Sequence, residues 1–173
     1  MPLIVDKEYS QQTYTFIKEG GLLRNLIDKD RFKKYTAETK TGLNFTEETF
    51  NIIDGFSYFS SDLDKVVPHK DSINFKGKIY LLVDKNVFSS SEMMASFAKE
   101  SKMATLVGER TGGDGIGSDP MLIDLPNSGY VLRFSKEMGI TEKGSINELE
   151  QTEPDILVSN PLRKIEFDSN GEV

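Results

Sequence analysis

The chain has 173 residues, a formal net charge of -7, 37% hydrophobic residues and no cysteine. That length suits about one domain with a real core. The acidic balance argues against nonspecific nucleic-acid binding, and the missing cysteines exclude disulfides and thiolate metal sites. No apolar run approaches the roughly 18–20 residues that span a bilayer, and the first residues carry no signal-peptide pattern. If the protein is exported, its signal lies outside this chain.

In chain order, Leu3 to Val5 and Tyr14 to Ile17 are predicted short strands, the second within the alternating run Thr13-Tyr14-Thr15-Phe16. Gly20-Gly21 marks a turn, and Leu22 to Tyr35 has helix-compatible apolar spacing. Thr46 is a candidate N-cap for a helix through Phe50 and Ile53, although Thr49 stands where a capping box wants Glu or Gln. Phe56, Tyr58 and Phe59 form an aromatic cluster. Residues 1–75 are expected to be an irregular N-terminal segment packing its aromatics on the main sheet; the other reading is a wall of a peptide groove. His69 is the only histidine. A catalytic role would need its imidazole within hydrogen-bond reach of a nucleophile, but Pro68-His69-Lys70-Asp71 has the composition of a solvated turn.

Residues 76–173 are more legible. Ile79 to Val83 is a short continuous apolar run, the mark of a strand buried on both faces. After Asp84-Lys85-Asn86 come Ser89-Ser90-Ser91-Glu92 and a helical segment in which Met93, Met94, Phe97 and Ala98 can share one face. Ala104 to Val107 is a second apolar run, followed by the loop Thr111-Gly112-Gly113-Asp114-Gly115-Ile116-Gly117. Met121 to Leu125 and Tyr130 to Phe134, joined through Pro126-Asn127-Ser128-Gly129, predict a hairpin. Arg133 on it reads as an ion-pair partner. Residues from Ile156 to Val158 suggest a last strand, and the tail from Asp168 is expected to fray.

A hydroxyl at a strand-to-helix elbow is where several hydrolase folds expose a nucleophile. Ser89 occupies that place. Ser-x-x-Glu ahead of a helix is also the capping-box pattern, which needs no catalysis. The glycine loop fits neither a P-loop nor a dinucleotide fingerprint, since no helix pattern or Lys-Ser/Thr follows it. Its glycines are expected to let the backbone pass close beneath the elbow. Asp114 and Asp119 are too scattered to argue for a metal, and no cofactor is expected.

The strand GKIYLLVD, the motif Ser89-Ser90-Ser91-Glu92, the segment Val107-Gly108-Glu109-Arg110-Thr111-Gly112-Gly113 and the late LPNSGYVLRF stand in a telling order. Together they resemble the C-terminal processing (tail-specific) serine peptidases, in their tricorn-like and retinoid-binding-protein-like branch. The resemblance implies an α/β fold with a crotonase/ClpP-like core of stacked βα units and an added β-hairpin. It implies Ser89 as nucleophile, the Ser90 amide as an oxyanion donor and Glu148 as the carboxylate that assists the base. The alternative for Glu148 is a solvated carboxylate in the acidic loop Asn147 to Glu153. The best-known members use a lysine where this chain has Asp114, so the base must come from elsewhere. The Arg-x-Asn-x-Gly-Gly segment that supplies the second oxyanion donor has no counterpart here. The chain is therefore expected to be the C-terminal part of a peptidase domain, inactive alone, acting in full length on peptide or protein substrates. A noncatalytic binding module on the same fold is the alternative. A homodimer, and an extracytoplasmic or cell-surface location in a bacterium, complete these expectations.

Overall fold

The structure is a computed structural model that describes residues 1–21 and 27–159. The described residues form two principal sheets and a separate hairpin. The first sheet has the order β2-β3-β1-β8, built from β1 (Tyr9–Ile17), β2 (Lys33–Lys34), β3 (Tyr58–Val66) and β8 (Met138–Thr141), all antiparallel. Two short helices, α1 (Ala37–Thr41) and α2 (Glu47–Ile52), lie between β2 and β3 in the chain. The second sheet has the order β4-β5-β9, from β4 (Tyr80–Val83), β5 (Thr105–Gly108) and β9 (Ile156–Leu157), all parallel. Helix α3 (Ser90–Glu100) crosses from β4 to β5, which makes one βαβ unit. The hairpin pairs β6 (Met121–Asp124) with β7 (Val131–Phe134), and α4 (Asn147–Glu150) precedes β9.

Residues 1–75 are not irregular. β1 and β3 pair over nine residues each, from Tyr9 opposite Val66 to Ile17 opposite Tyr58. Pleat alternation decides what each face of β1 meets. Tyr14 and Phe16 join a core of Ile53, Ile140 and Ile146 with Tyr35, Phe45, Phe50, Phe56 and Phe59 around it. Phe16 is wholly buried, with the rings of Tyr35, Phe45 and Phe56 edge-on at 5.2–6.4 Å. The opposite face carries Gln11, Thr13 and Thr15, and these polar side chains are buried as well. Gln11 Nε2 donates to Ser96 Oγ on α3 at 2.8 Å, and the hydroxyls of Thr15 and Ser60 are 2.6 Å apart. β3, with the sequence YFSSDLDKV, shows no apolar alternation because its inward face is of this polar kind. β8, from the second half of the chain, completes the sheet beside β1.

Other expectations meet different fates. Thr46 caps α2, its hydroxyl accepting from Thr49 N at 3.2 Å, and the Thr49 hydroxyl turns to Gly144 O at 2.8 Å. The helix read from Leu22 to Tyr35 is not found where it can be checked. Asp28 Oδ1 closes a turn by accepting from the amides of Asp30 and Arg31, and Lys33–Lys34 is a strand; residues 22–26 lie outside the described residues. The tail from Asp168 lies outside them too. The hairpin forms with Met121 opposite Phe134, but Arg133 is exposed and has no ion-pair partner among the described residues.

The reading of β4 as buried on both faces is corrected. Leu81 and Val83 face α3 and join the core of Val5, Ala95, Phe97, Ala98, Met103 and Leu106. Tyr80 and Leu82 point the other way and are 55% and 77% exposed. Ile156 on β9, in register with Leu82 across Val107, is 47% exposed, so among the described residues nothing covers the outer face of this parallel sheet. Apolarity in the sequence marks a face that can be covered, not one that is.

Candidate active site

β4 ends at Val83, and a turn at Asp84 to Asn86 delivers the chain to the start of α3. Asp84 shapes that turn: its Oδ1 accepts from Asn86 N at 2.8 Å, and its carbonyl from Val87 N at 3.0 Å. Ser89 then takes φ 57° and ψ -127°, a conformation that L residues rarely adopt. Such a residue costs on the order of 1–3 kcal/mol and persists only where its surroundings over-determine it. Here they do. Ser89 N donates to Gly113 O at 3.2 Å, Met93 N to Ser89 O at 2.9 Å, and Gly112 N to Val87 O at 2.7 Å. Phe88 and Gly113 also form a parallel bridge.

The Ser89 side chain makes no capping hydrogen bond, and the residue is exposed. The capping-box alternative therefore fails at both ends. The hydroxyl does not bond the first turn, and Glu92 does not reach back, because the Ser89 amide is taken by Gly113 O. Ser90 and Ser91 lie inside the first turn of α3, where amides have no intrahelical acceptor. The Ser90 N–H stands at the positive end of the helix, directly after Ser89. A cavity of about 420 Å³, lined by Leu81, Leu82, Val83, Val87, Ser90, Ser91 and Met94, opens beside it. A larger one of about 590 Å³ lies at the C-terminal ends of β4 and β5, against Asp84 to Val87 and Gly108.

The glycine loop passes under the elbow because side chains are absent there. A Cβ on Gly115 would lie 2.5 Å from Met93 N, and one on Gly113, already at φ +79°, would lie 2.7 Å from Asn147 O. Gly113 thus sits between the Ser89 elbow and the start of α4, with the Cα of Glu148 on its far side. Glu148 is half-buried, not a solvated loop carboxylate. Its Oε1 accepts from Gly139 N at 3.1 Å, while Oε2 is buried without a partner among the described residues. Burial pushes its carboxyl above the ordinary 4.5, against two backbone hydrogen bonds that lower it, and the nearby Asp114 adds to the rise. Asp114 itself is exposed, at φ 61°.

His69 is placed elsewhere. It lies in a turn tied to the N-terminal segment, its N–H donating to Pro2 O at 2.8 Å and its Nδ1 accepting from Asp71 N at 3.2 Å. Met93, assigned from the sequence to the buried face of α3, is 50% exposed. The helix lies between the second sheet and the polar face of β1, so Glu92, Ala95, Ser96, Phe97 and Ala98 are buried instead.

The family model for peptidase family S41 matches residues 6–158. The chain belongs to peptidase family S41. Mature CPAF in complex with lactacystin has a similar fold, with a TM-score of 0.57 at 19% identity over 90% of this chain and 35% of that one. A putative peptidase from Parabacteroides merdae (TM-score 0.49, 22% identity, 58% of this chain and 30% of that one) is also similar. So is the photosystem II D1 C-terminal processing protease (0.46, 18%, 91% and 29%). The chain spans about a third of the length of these structures. No curated protein matches the sequence. The S41 chain has a mixed α/β fold, and among its described residues no helix is long and apolar enough to cross a membrane.

One set of residues escaped the sequence reading. Asn147 and Thr152 both bond Glu92, at 2.8 and 2.6 Å, across 55 and 60 positions of chain. Neither carries a motif of its own, and only the fold brings them to the helix start.

Proposed function

We propose that this chain is the nucleophile-bearing part of a serine peptidase domain, in which Ser89 attacks the carbonyl of a peptide bond. The observation that carries the reading is the strained, uncapped and exposed Ser89 at the start of α3, after a parallel strand and its turn. A hydroxyl that only closed a helix turn would need neither the positive φ nor the free oxygen. As Ser89 Oγ bonds to the carbonyl carbon, its proton passes to a base, and negative charge develops on the carbonyl oxygen. The Ser90 amide is the donor poised for that charge. Collapse breaks the C–N bond, the proton goes to the leaving amine, and water then cleaves the acyl-enzyme. Glu148 assists or orients the base. Burial raises its affinity for a proton, which suits a carboxyl that hydrogen-bonds to the base.

The base and the second oxyanion donor are assigned to other parts of a longer protein. Supporting this, among the described residues β4 has no strand on one edge and the sheet no cover on one face, which fits a core continued by further strands in the stacked crotonase-like manner. Missing one oxyanion donor alone costs about 10²–10³ in rate, so the 173-residue chain by itself is inert. Peptide or protein substrates and an extracytoplasmic setting belong to the same proposal; a homodimer of the isolated chain through the bare face is the alternative way to cover it. The test is a fluorophosphonate probe applied to the longer protein, with mapping of the modified peptide. Adduct on Ser89, lost in Ser89→Ala, is the expected result; no adduct on a folded protein would leave a binding module.

A further inference from the structure

Glu92 is the most deeply placed charged side chain near the site, with 0% exposure. Its Oε1 accepts two hydrogen bonds, from Asn147 Nδ2 at 2.8 Å and Thr152 Oγ1 at 2.6 Å, while Oε2 is buried without a partner among the described residues. An unpaired buried carboxylate oxygen is costly, and a hydrophobic residue would serve packing alone at least as well. The arrangement therefore calls for an explanation in what those two bonds hold.

They hold three segments at once. Asn147 is 1% exposed, and its Oδ1 accepts from Gly115 N at 2.7 Å, which ties α4 to the glycine loop under the elbow. Thr152 is paired with Thr111, N–H to Oγ1 at 2.8 Å one way and N–H to carbonyl at 3.1 Å the other, which fixes the loop's entry. Glu92 sits one helical turn after Ser89 and closes both links. α4 needs such an anchor: it has four residues and no side-chain cap, and Gln151 after it is at φ 60°. Glu148 is the residue next to Asn147, so whatever fixes Asn147 fixes the start of the Glu148 side chain.

From this geometry we infer that Glu92 is a positioning residue, which holds the start of α4 and thereby sets Glu148 against the Ser89 elbow. The inference rests on the role proposed for Glu148, yet the placement can be tested without any peptidase activity. Among the described residues, few groups surround Glu148. Gly139 N of β8 donates to it and Asp114 of the glycine loop faces it, while Glu150 on its own helix turns back to Ser145 and Ile146. Freeing α4 would hydrate Glu148 and return its titration toward the ordinary glutamate range.

The experiment follows the Glu148 carboxyl by carbon NMR against pH in the 173-residue chain, for wild type, Glu92→Gln, Glu92→Ala and Asn147→Ala. Gln keeps an oxygen for both hydrogen bonds and should leave the raised titration in place. Glu92→Ala and Asn147→Ala should both lower it; the second keeps the test alive should the first not fold. In the active longer protein, Glu92→Ala should lose about 10²-fold in kcat with KM little changed, and Glu92→Gln should retain most of it. A lower melting temperature with Glu148 titrating as in wild type, in whichever variant folds, would make Glu92 merely structural and overturn the inference. Were Ser89→Ala as active as wild type, the peptidase reading would fall, and the NMR result would still decide the placement.

Discussion

The two main sheets of this protein are closed to different degrees. The antiparallel β2-β3-β1-β8 sheet is covered on both faces, by an aromatic core on one and by α3 and the glycine loop, through polar contacts, on the other. Among the described residues the parallel β4-β5-β9 sheet is covered by α3 on one face only, and Tyr80, Leu82 and Ile156 are exposed on the other. The candidate site grows from the less complete sheet. A scaffold covered on both faces can thus hold a strained serine elbow in place while the sheet that leads into it keeps one face open to solvent among the described residues.

Substitutions separate the two sheets most sharply. Phe16→Ala removes the centre of the aromatic core and should destabilise the chain by about 3–5 kcal/mol in denaturant unfolding. A loss under about 1 kcal/mol would mean that this core is not packed in solution. Next in size, Thr46→Ala should cost about 1 kcal/mol, because it removes the one side-chain oxygen that caps α2. Leu82→Ala, on the bare face, should stay within about 0.5 kcal/mol. If it costs as much as a core truncation, the face is covered in solution, and sedimentation would then show a dimer.

A pH effect sharpens the comparison at the site itself. Burial raises the Glu148 carboxyl above its ordinary 4.5, so the folded state prefers the neutral form. The stability it contributes is complete below 4.5 and is lost as pH rises through the folded value. Relative to Glu148→Gln, the wild type should therefore lose stability as pH rises through that window, measured by denaturant midpoints. Parallel curves would place Glu148 in water.

The parallel unit was legible in the sequence because its signals are local. Apolar runs, a serine cluster, a helical period and a glycine loop follow one another from Ile79 to Gly117 with little intervening chain. β1 and β3 were not legible as a pair, because their shared inner face is built of Gln11, Thr13, Thr15 and Ser60, whose burial depends on hydrogen bonds made across the fold. The bare side of β4 was misread for the converse reason, since Tyr80 and Leu82 are apolar whether or not anything covers them. At the site, the position of Ser89 could be read but not its backbone. Glu92 showed as a motif residue, and its partners Asn147 and Thr152 showed no signal at all.

The central claim is that Ser89 is held strained with its oxygen free, and unfolding free energies of Ser89→Gly and Ser89→Ala test it most directly. Glycine adopts a positive φ without the Cβ penalty, so Ser89→Gly should stabilise the chain by about 1 kcal/mol, while Ser89→Ala, which keeps the strain and loses no cap, should stay within about 0.5 kcal/mol. A loss of about 1 kcal/mol in the alanine variant, with no gain for glycine, would mean that the hydroxyl caps the helix after all.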